Sequence, residues 1–164
     1  MWDSVDETSR DPAFNNTLPG LRKLAKCTTE GLDLSEERWR RLCTALTFGM
    51  DTYDNKVSYE QLSLVHDSLT YLVVNRTTDL ESPFSIFSAQ RWFCSTHKDR
   101  FAWIPKTAQA DDKIFLIRGA CIPFVLRPQP CGSYKLVGEC YIEGFMEGEA
   151  LELPGFEWQD LRLI

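Results

Sequence analysis

Apolar side chains recur at helical spacing in the first half of the chain. Ser35 opens one such stretch, with Glu36 and Glu37 directly behind it, and this order is typical of a capped helix N-terminus. The apolar positions that follow share one helical face and are Trp39, Leu42, Cys43, Leu46 and Met50. Gly49 predicts the C-terminal end. We therefore expect an amphipathic helix that buries one face.

The same period recurs after a polar loop. Ser58 is a second N-cap residue, and the apolar positions behind it again fit a period near 3.6: Leu62, Val65, Leu69, Leu72 and Val73. Pro83 suits the first turn of a third, shorter helix that extends to Trp92. Leu18 to Lys26 is expected to form a short helical turn. The pattern therefore predicts about three helices.

After Gln90 the pattern changes to short apolar runs separated by turn residues. The predicted strands are Trp92–Ser95, Phe101–Ile104, Lys113–Arg118, Ile122–Arg127, Tyr134–Glu143 and Phe156–Leu163. Short antiparallel strands with frequent turns favour a small barrel, because closure removes exposed strand edges. The predicted class is α+β, with N-terminal helices packed on a small antiparallel β-barrel-like C-terminal unit.

The chain of 164 residues divides into three stretches by composition. Residues 1–16 are polar and acidic and predict a flexible tail. Residues 17–90 form the helical segment, and residues 91–164 form the β-barrel-like unit. A hydrophobic fraction of 43% provides enough apolar material for a core. We expect the helices and the β-unit to form one compact structural unit.

The net charge and the spacing of the cysteines limit the kinds of partner and the cellular compartment that we expect for this protein. The net charge is −6, and the dense basic run is Arg38-Trp39-Arg40-Arg41, which we interpret as the solvated face of a helix. Nucleic-acid binding is therefore not expected. The first residues lack the basic start and apolar core of a secretory signal, and no apolar run has the length of a membrane span. Widely spaced cysteines then indicate reduced thiols in a cytoplasmic protein without a membrane partner.

Few residues of the sequence could form a catalytic, metal or cofactor site. Cys94 and His97 lie three residues apart across a predicted turn, and no third group is placed to orient the histidine as a base. Cysteines and histidines lack the paired spacing of structural zinc sites, and phosphate-binding glycine motifs are absent from the sequence. We therefore predict no catalytic, metal or cofactor site. A small enzyme that uses Cys94 or the C-terminal carboxylates stays open as an alternative.

Carboxylates crowd the C-terminal quarter of the chain. They are Glu139, Glu143, Glu147, Glu149, Glu152, Glu157 and Asp160. Paired carboxylates are used in acid–base catalysis, but such a crowd is more typical of a solvated acidic rim. A rim of this kind also attracts a basic protein partner, because summed charge steers association.

An ordered series of motifs spans the second half. Trp92-Phe93 and Pro105 precede Asp112, and three segments follow: Pro123–Arg127 (PFVLR), Tyr134–Tyr141 (YKLVGECY) and Gly144–Ala150 (GFMEGEA). In order and spacing, these motifs resemble the C-terminal region of fungal heterokaryon-incompatibility (HET-domain) proteins. A looser likeness extends upstream to the helix that starts at Ser35. The N-terminal HET domain of those proteins is not found in this chain.

Departures from the family pattern are few. Asp111 stands where the loop usually has glycine, Asp99 and Ala102 replace glycines around the preceding turn, and Glu143 stands where histidine is common. These changes affect the expected turn geometry and not the unit as a whole.

The resemblance implies a non-enzymatic interaction or regulatory module in non-self recognition, with a protein partner that is expected to be a HET-domain protein. A truncated fragment without independent activity is the alternative. Arg127 and Glu139 lie on adjacent predicted strands and are expected to pair across them. The candidate structural and interaction residues are Arg127, Glu139, Tyr141, Glu143, Glu147 and Glu149.

Overall fold

A computed structural model describes residues 35–50, 55–75 and 91–164, together with three two-residue strands nearer the N-terminus; side chains are described from Ser35 onward, and in the second helix as far as Tyr71. The helices are α1 (Glu36–Leu46) and α2 (Tyr59–Asn75). The strands are β1 (Asp3–Ser4), β2 (Cys27–Thr28), β3 (Gly31–Leu32), β4 (Arg91–Ser95), β5 (Phe101–Pro105), β6 (Lys113–Phe115), β7 (Phe124–Pro128), β8 (Tyr134–Glu139) and β9 (Tyr141–Ile142). A 3-10 helix follows at Glu149–Glu152.

Helix α1 begins as predicted and ends earlier than predicted. Ser35 Oγ accepts a hydrogen bond from the Arg38 backbone N–H at 3.3 Å, which is the expected N-cap. At the other end, the N–H of Gly49 donates to Thr44 O at 2.8 Å and the N–H of Phe48 donates to Ala45 O. This is a Schellman motif, and its left-handed position is occupied by Phe48 (φ 55°) instead of a glycine. The helix therefore ends at Leu46.

Helix α2 begins with a reciprocal cap. The Ser58 N–H donates to Gln61 Oε1 at 2.7 Å, and the Gln61 N–H donates to Ser58 Oγ at 3.3 Å. The predicted third helix lies mostly outside the described residues, but Arg91 and Trp92, at its predicted end, belong to β4. The helical turn expected at 18–26 also lies outside them.

The strands form antiparallel sheets. One has the order β1-β6-β7-β8, a second has the order β4-β5-β9, and β2 pairs with β3 alone. The chain passes from the first sheet to the second at Cys140, which separates β8 from β9, so the predicted continuous strand from Tyr134 to Glu143 is divided. The α+β class is confirmed. A closed barrel is not seen among the described strands, because no strand pairing joins these two sheets.

The three-stranded sheet is buried on both faces. One face packs on α1 and α2, and its buried cluster is Leu42, Cys43, Ala45, Leu46, Leu62, Leu69, Phe93, Phe101, Trp103 and Tyr141. The other face packs on the four-stranded sheet, and that cluster is Cys94, Ala102, Ile104, Ala108, Ile114, Val125, Cys140, Ile142, Phe145 and Ala150. Alternation along β5 supplies Trp103 to one cluster and Ile104 to the other. The described helices therefore share a core element with the β-unit.

Asp3 and Ser4 pair with β6, and the rest of residues 1–16, the predicted flexible tail, lies outside the described residues, so the tail stays a prediction. The predicted closing strand is corrected, because Phe156–Leu163 is not a strand. Only Leu163 makes a bridge there, parallel to Tyr134, because Tyr134 donates to Arg162 O and accepts from the N–H of Ile164. Neither of the two described helices combines the length and apolarity that a membrane span requires.

Candidate functional site

Arg127 and Glu139 do not pair with each other. The β7–β8 register places Glu139 opposite Phe124 at one end of the ladder and, after a shift between Val125 and Leu126, places Arg127 opposite Lys135 near the other end. Glu139 instead forms an ion pair with Arg91 at the start of β4. The expected cross-strand pair is therefore wrong, and each residue joins a different element to the sheet.

Arg127 binds Asp112, which is 2% exposed. Its Nε donates to Oδ1 at 2.9 Å and its Nη2 donates to Oδ2 at 3.0 Å. The remaining contacts fix the preceding loop, because Arg127 Nη2 also donates to Thr107 O and the Gln109 N–H donates to Asp112 Oδ2. The hydrogen bond to Asp112 raises the pKa of Arg127. This pair holds the β5–β6 loop against β7 and therefore has a structural role.

Glu143 is also structural. Its side chain is buried, and Oε2 accepts a hydrogen bond from Arg41 Nε at 3.0 Å. Arg41 Nη2 donates in addition to the backbone oxygen of Asp99 at 2.5 Å. Asp99 in turn binds Arg38 through its carboxylate. Two arginines of the basic run therefore dock α1 on the β-unit, which corrects the prediction that this run is a solvated face.

Tyr141 is buried between α1 and the sheet. Its ring packs edge-on against Phe48 at 5.2 Å between centroids, and its hydroxyl lies 3.5 Å from Thr44 O. Burial raises the pKa of the Tyr141 hydroxyl, and the nearby carboxylates of Glu143, Glu149 and Glu147 raise it further. Three of the predicted acidic residues are therefore close enough to Tyr141 to affect its titration.

Glu147 and Glu149 remain on the surface. Glu147 forms an ion pair with Lys56 at 3.0 Å, and both side chains are largely exposed. Glu149 accepts a hydrogen bond from the Glu147 backbone N–H at 2.7 Å. The predicted acidic rim is therefore divided: Glu143 turns inward, whereas Glu147 and Glu149 face solvent together.

An open groove of about 810 Å³ lies beside these carboxylates. We call it the helix–sheet groove. One wall comes from the end of α1 and the start of α2, with Phe48, Met50 and Val57. The opposite wall comes from the strand junction and the loop after β9, and the lining there includes Ile122, Tyr141 and Met146. Glu139, Glu147 and Glu149 stand at its border and Glu143 also lines it, so with Tyr141 five of the six candidate residues meet here.

Cys94 and His97, the candidate enzyme residues, differ in burial. Cys94 is 2% exposed and packs in the core between the sheets, whereas His97 is exposed in the β4–β5 turn. Among the other thiols, burial raises the pKa of Cys43 to about 12 and also raises that of Cys140. Cys131 is exposed, and a hydrogen bond with Ser133 lowers its pKa. Within the described part of the chain, no three potential metal ligands cluster together.

Sequence reasoning missed the partners of the candidate residues. Asp112 is buried and binds Arg127, but its sequence neighbours Gln109, Asp111 and Lys113 are polar, so no local signal indicates this role. Arg38 and Arg41 are three apart and so share a helix face, which is a signal that both reach the same turn.

The sequence of the chain matches one protein family and one curated relative. Residues 23–156 match the Het-6 beta-barrel domain. The chain is 36% identical over 63 residues to heterokaryon incompatibility protein 6, OR allele, of Neurospora crassa, a stretch that covers 37% of this chain and 9% of that protein. The chain thus spans only a small part of this curated relative. No solved structure is significantly similar to it. Because the family match covers most of the chain, this protein belongs to the Het-6 beta-barrel domain family and is related to the heterokaryon-incompatibility proteins of fungi.

Proposed function

We propose that this domain is a non-enzymatic interaction and regulatory module of fungal heterokaryon incompatibility, which acts in non-self recognition by binding a protein partner in the cytoplasm. The observation that carries the proposal is the family match over residues 23–156 together with the likeness to heterokaryon incompatibility protein 6. The proposed partner is a HET-domain protein, supplied on a separate chain or as a neighbouring domain, whose activity this domain restrains.

The placement of the ionisable groups supports a binding role. Arg127 and Asp112 join a loop to β7, and Arg41 and Glu143 join α1 to the β-unit. These buried groups already hold the fold together, and each is engaged by more than one hydrogen bond or by a shielded ion pair. Among the described residues, the helix–sheet groove and its border form one surface that these pairs leave open to another molecule.

Affinity capture from a filamentous fungus tests the proposal. The tagged full chain is expressed in a strain that carries HET-domain genes, captured, and analysed by quantitative mass spectrometry against a tag-only control. We expect reproducible enrichment of a HET-domain protein. A natively folded domain that enriches no HET-domain protein in repeated captures contradicts the proposal.

A separate experiment tests the proposal that this function does not depend on catalysis. Replacing Cys94 by Ala and His97 by Gln removes the candidate nucleophile and base. We expect the double variant to capture the HET-domain partner as the wild type does and to leave the incompatibility response unchanged. Loss of the response with folding and capture intact would support the small-enzyme alternative instead.

A further inference from the structure

We infer that the helix–sheet groove binds an extended or helical segment of the partner in which apolar side chains are flanked by lysine or arginine. This inference rests on the proposed function and specifies where on this domain the partner binds and with what chemistry. It draws on the apolar lining of the groove and on the charges at its border.

The lining of the groove is largely apolar. Phe48, Val57, Ile122 and Met146 contribute hydrocarbon or thioether surface, and Met50 stands 47% exposed at the opening. A volume of about 810 Å³ is enough for several side chains of a peptide. Methionine has an unbranched, polarisable side chain and adapts to different apolar partners. Two methionines at one groove therefore favour an apolar segment over a polar ligand.

The border of the groove is acidic on balance. Its described charged side chains include the carboxylates of Glu139, Glu147 and Glu149 and the cations of Lys56 and Arg91. Glu143 also reaches the groove, but Arg41 balances its charge from outside. Burial raises the pKa of Tyr141, and Glu143, Glu149 and Glu147 raise it further, which agrees with a negative potential beside the buried lining. A partner with cations beside its apolar residues is complementary to this field.

One ion pair at the border, between Lys56 and Glu147, can be exchanged for contacts with a partner. Lys56 and Glu147 meet across the groove with side chains 77% and 60% exposed, and an exposed pair of this sort contributes little stability. A lysine or arginine of the partner can therefore replace Lys56 at Glu147, or bind Glu149 beside it, with little loss of stability to the fold. The apolar residues of the partner would then lie over Met50, Val57 and Met146.

Three synthetic peptides test the inference on the full chain. The first has a leucine- and phenylalanine-rich centre with lysines at both ends. The second has the same centre with glutamates at both ends, and the third has a serine-rich centre with lysines at both ends. Fluorescence anisotropy at low and at physiological salt measures each affinity. We expect the first peptide to bind about tenfold or more tightly than either of the others, with a preference over the second that falls as salt rises.

Matched variants locate the binding. Met50→Lys and Glu149→Lys change the groove and its border, and each is expected to weaken the first peptide about fivefold or more by adding repulsion and, for Met50, by removing apolar contact. Leu64→Lys and Glu157→Lys make the same exchanges at exposed positions that do not line the groove, and these controls are expected to bind as the wild type does. Circular dichroism confirms that every variant is folded.

The outcomes separate this inference from the proposed function. Equal affinity for the lysine- and glutamate-flanked peptides, or equal weakening by Met50→Lys and Leu64→Lys, overturns the groove assignment. Capture of a HET-domain protein that survives Met50→Lys also overturns it and leaves the proposed function standing. If the peptides bind as expected but no HET-domain protein is captured, the groove assignment stands and the proposed function fails.

Discussion

Arg127 binds Asp112 through two parallel hydrogen bonds, Nε to Oδ1 at 2.9 Å and Nη2 to Oδ2 at 3.0 Å. The aspartate side chain is 2% exposed and the arginine side chain 28% exposed, so the carboxylate of this pair lies under the protein surface. The pair fixes the β5–β6 loop on β7. In the Arg91–Glu139 pair the arginine is about equally exposed, but the carboxylate is 53% exposed. The two pairs therefore differ in burial and, we expect, in their effect on stability.

Removal of the Asp112 carboxylate should lower the free energy of unfolding substantially. Asp112→Ala leaves the Gln109 N–H without its acceptor and leaves the Arg127 guanidinium with Thr107 O alone, and breaking a buried pair in this way costs about 3 kcal/mol of the free energy of unfolding. Urea denaturation followed by tryptophan fluorescence measures the loss.

Glu139→Gln is the control for that experiment. It breaks the Arg91–Glu139 pair, whose glutamate side chain is 53% exposed, and should cost less than about 1 kcal/mol. Similar losses for the two substitutions would contradict the structural role assigned to the Arg127–Asp112 pair.

Gly138 has no room for a side chain. A Cβ atom at this position would lie 2.8 Å from Pro105 Cγ, and the proline ring is held at the end of β5. Gly138→Ala should therefore lower the free energy of unfolding by about 1–3 kcal/mol. A double-mutant cycle with Pro105→Ala checks the cause, because the alanine should cost much less once the ring is removed. An unchanged cost in the Pro105→Ala background would exclude this contact as the reason.

Two aspartates occupy left-handed backbone positions, a conformation that glycine adopts more readily than other residues. Asp111 has φ 63° and Asp99 has φ 56°. Asp111→Gly should stabilise the fold by about 0.5–1 kcal/mol, because glycine adopts this conformation without strain. Asp99→Gly relieves the same strain but loses the ion pair with Arg38, so its net gain should be smaller. Thermal unfolding measures both, and a destabilised Asp111→Gly would refute the strain argument.

These examples show what the sequence can and cannot predict. The periodicity and caps located α1 and α2, because local hydrogen bonds at Ser35 and Ser58 decide where those helices start. The pairing of Arg127 could not be predicted, because Arg127 and Glu139 lie at opposite ends of the β7–β8 ladder and the pairing of β6 with β7 brings Asp112 to Arg127 instead. Glu143 looked like part of a solvated rim, and only the docking of α1 brings Arg41 to it.

Because of Cys43, we expect the free energy of unfolding to depend on pH in the alkaline range. Burial raises its pKa to about 12 from an ordinary value of 9.0. Below pH 9 the thiol is protonated in both states and has no effect. Between pH 9 and 12 the unfolded chain loses this proton and the folded chain keeps it, so stability falls as pH rises, by about 1.4 kcal/mol per pH unit for this group.

The variant Cys43→Ala isolates that contribution. It should be less stable than the wild type near pH 7, because a buried side chain is shortened. Its stability should fall less steeply between pH 9 and 10.5, since Cys140 and Tyr141 still contribute in the same direction. Urea denaturation at a series of pH values measures both slopes, and identical slopes would contradict the assignment to Cys43.

Hydrogen–deuterium exchange, followed by mass spectrometry, tests most directly the claim that this domain acts by docking a protein partner. Exchange is measured for the folded chain alone and for the chain saturated with the HET-domain protein that it captures. The account predicts slower exchange around the helix–sheet groove, at residues 44–50, 56–62 and 139–149, and unchanged exchange in β6 and β7. A folded chain whose exchange is the same with and without that protein would contradict the account.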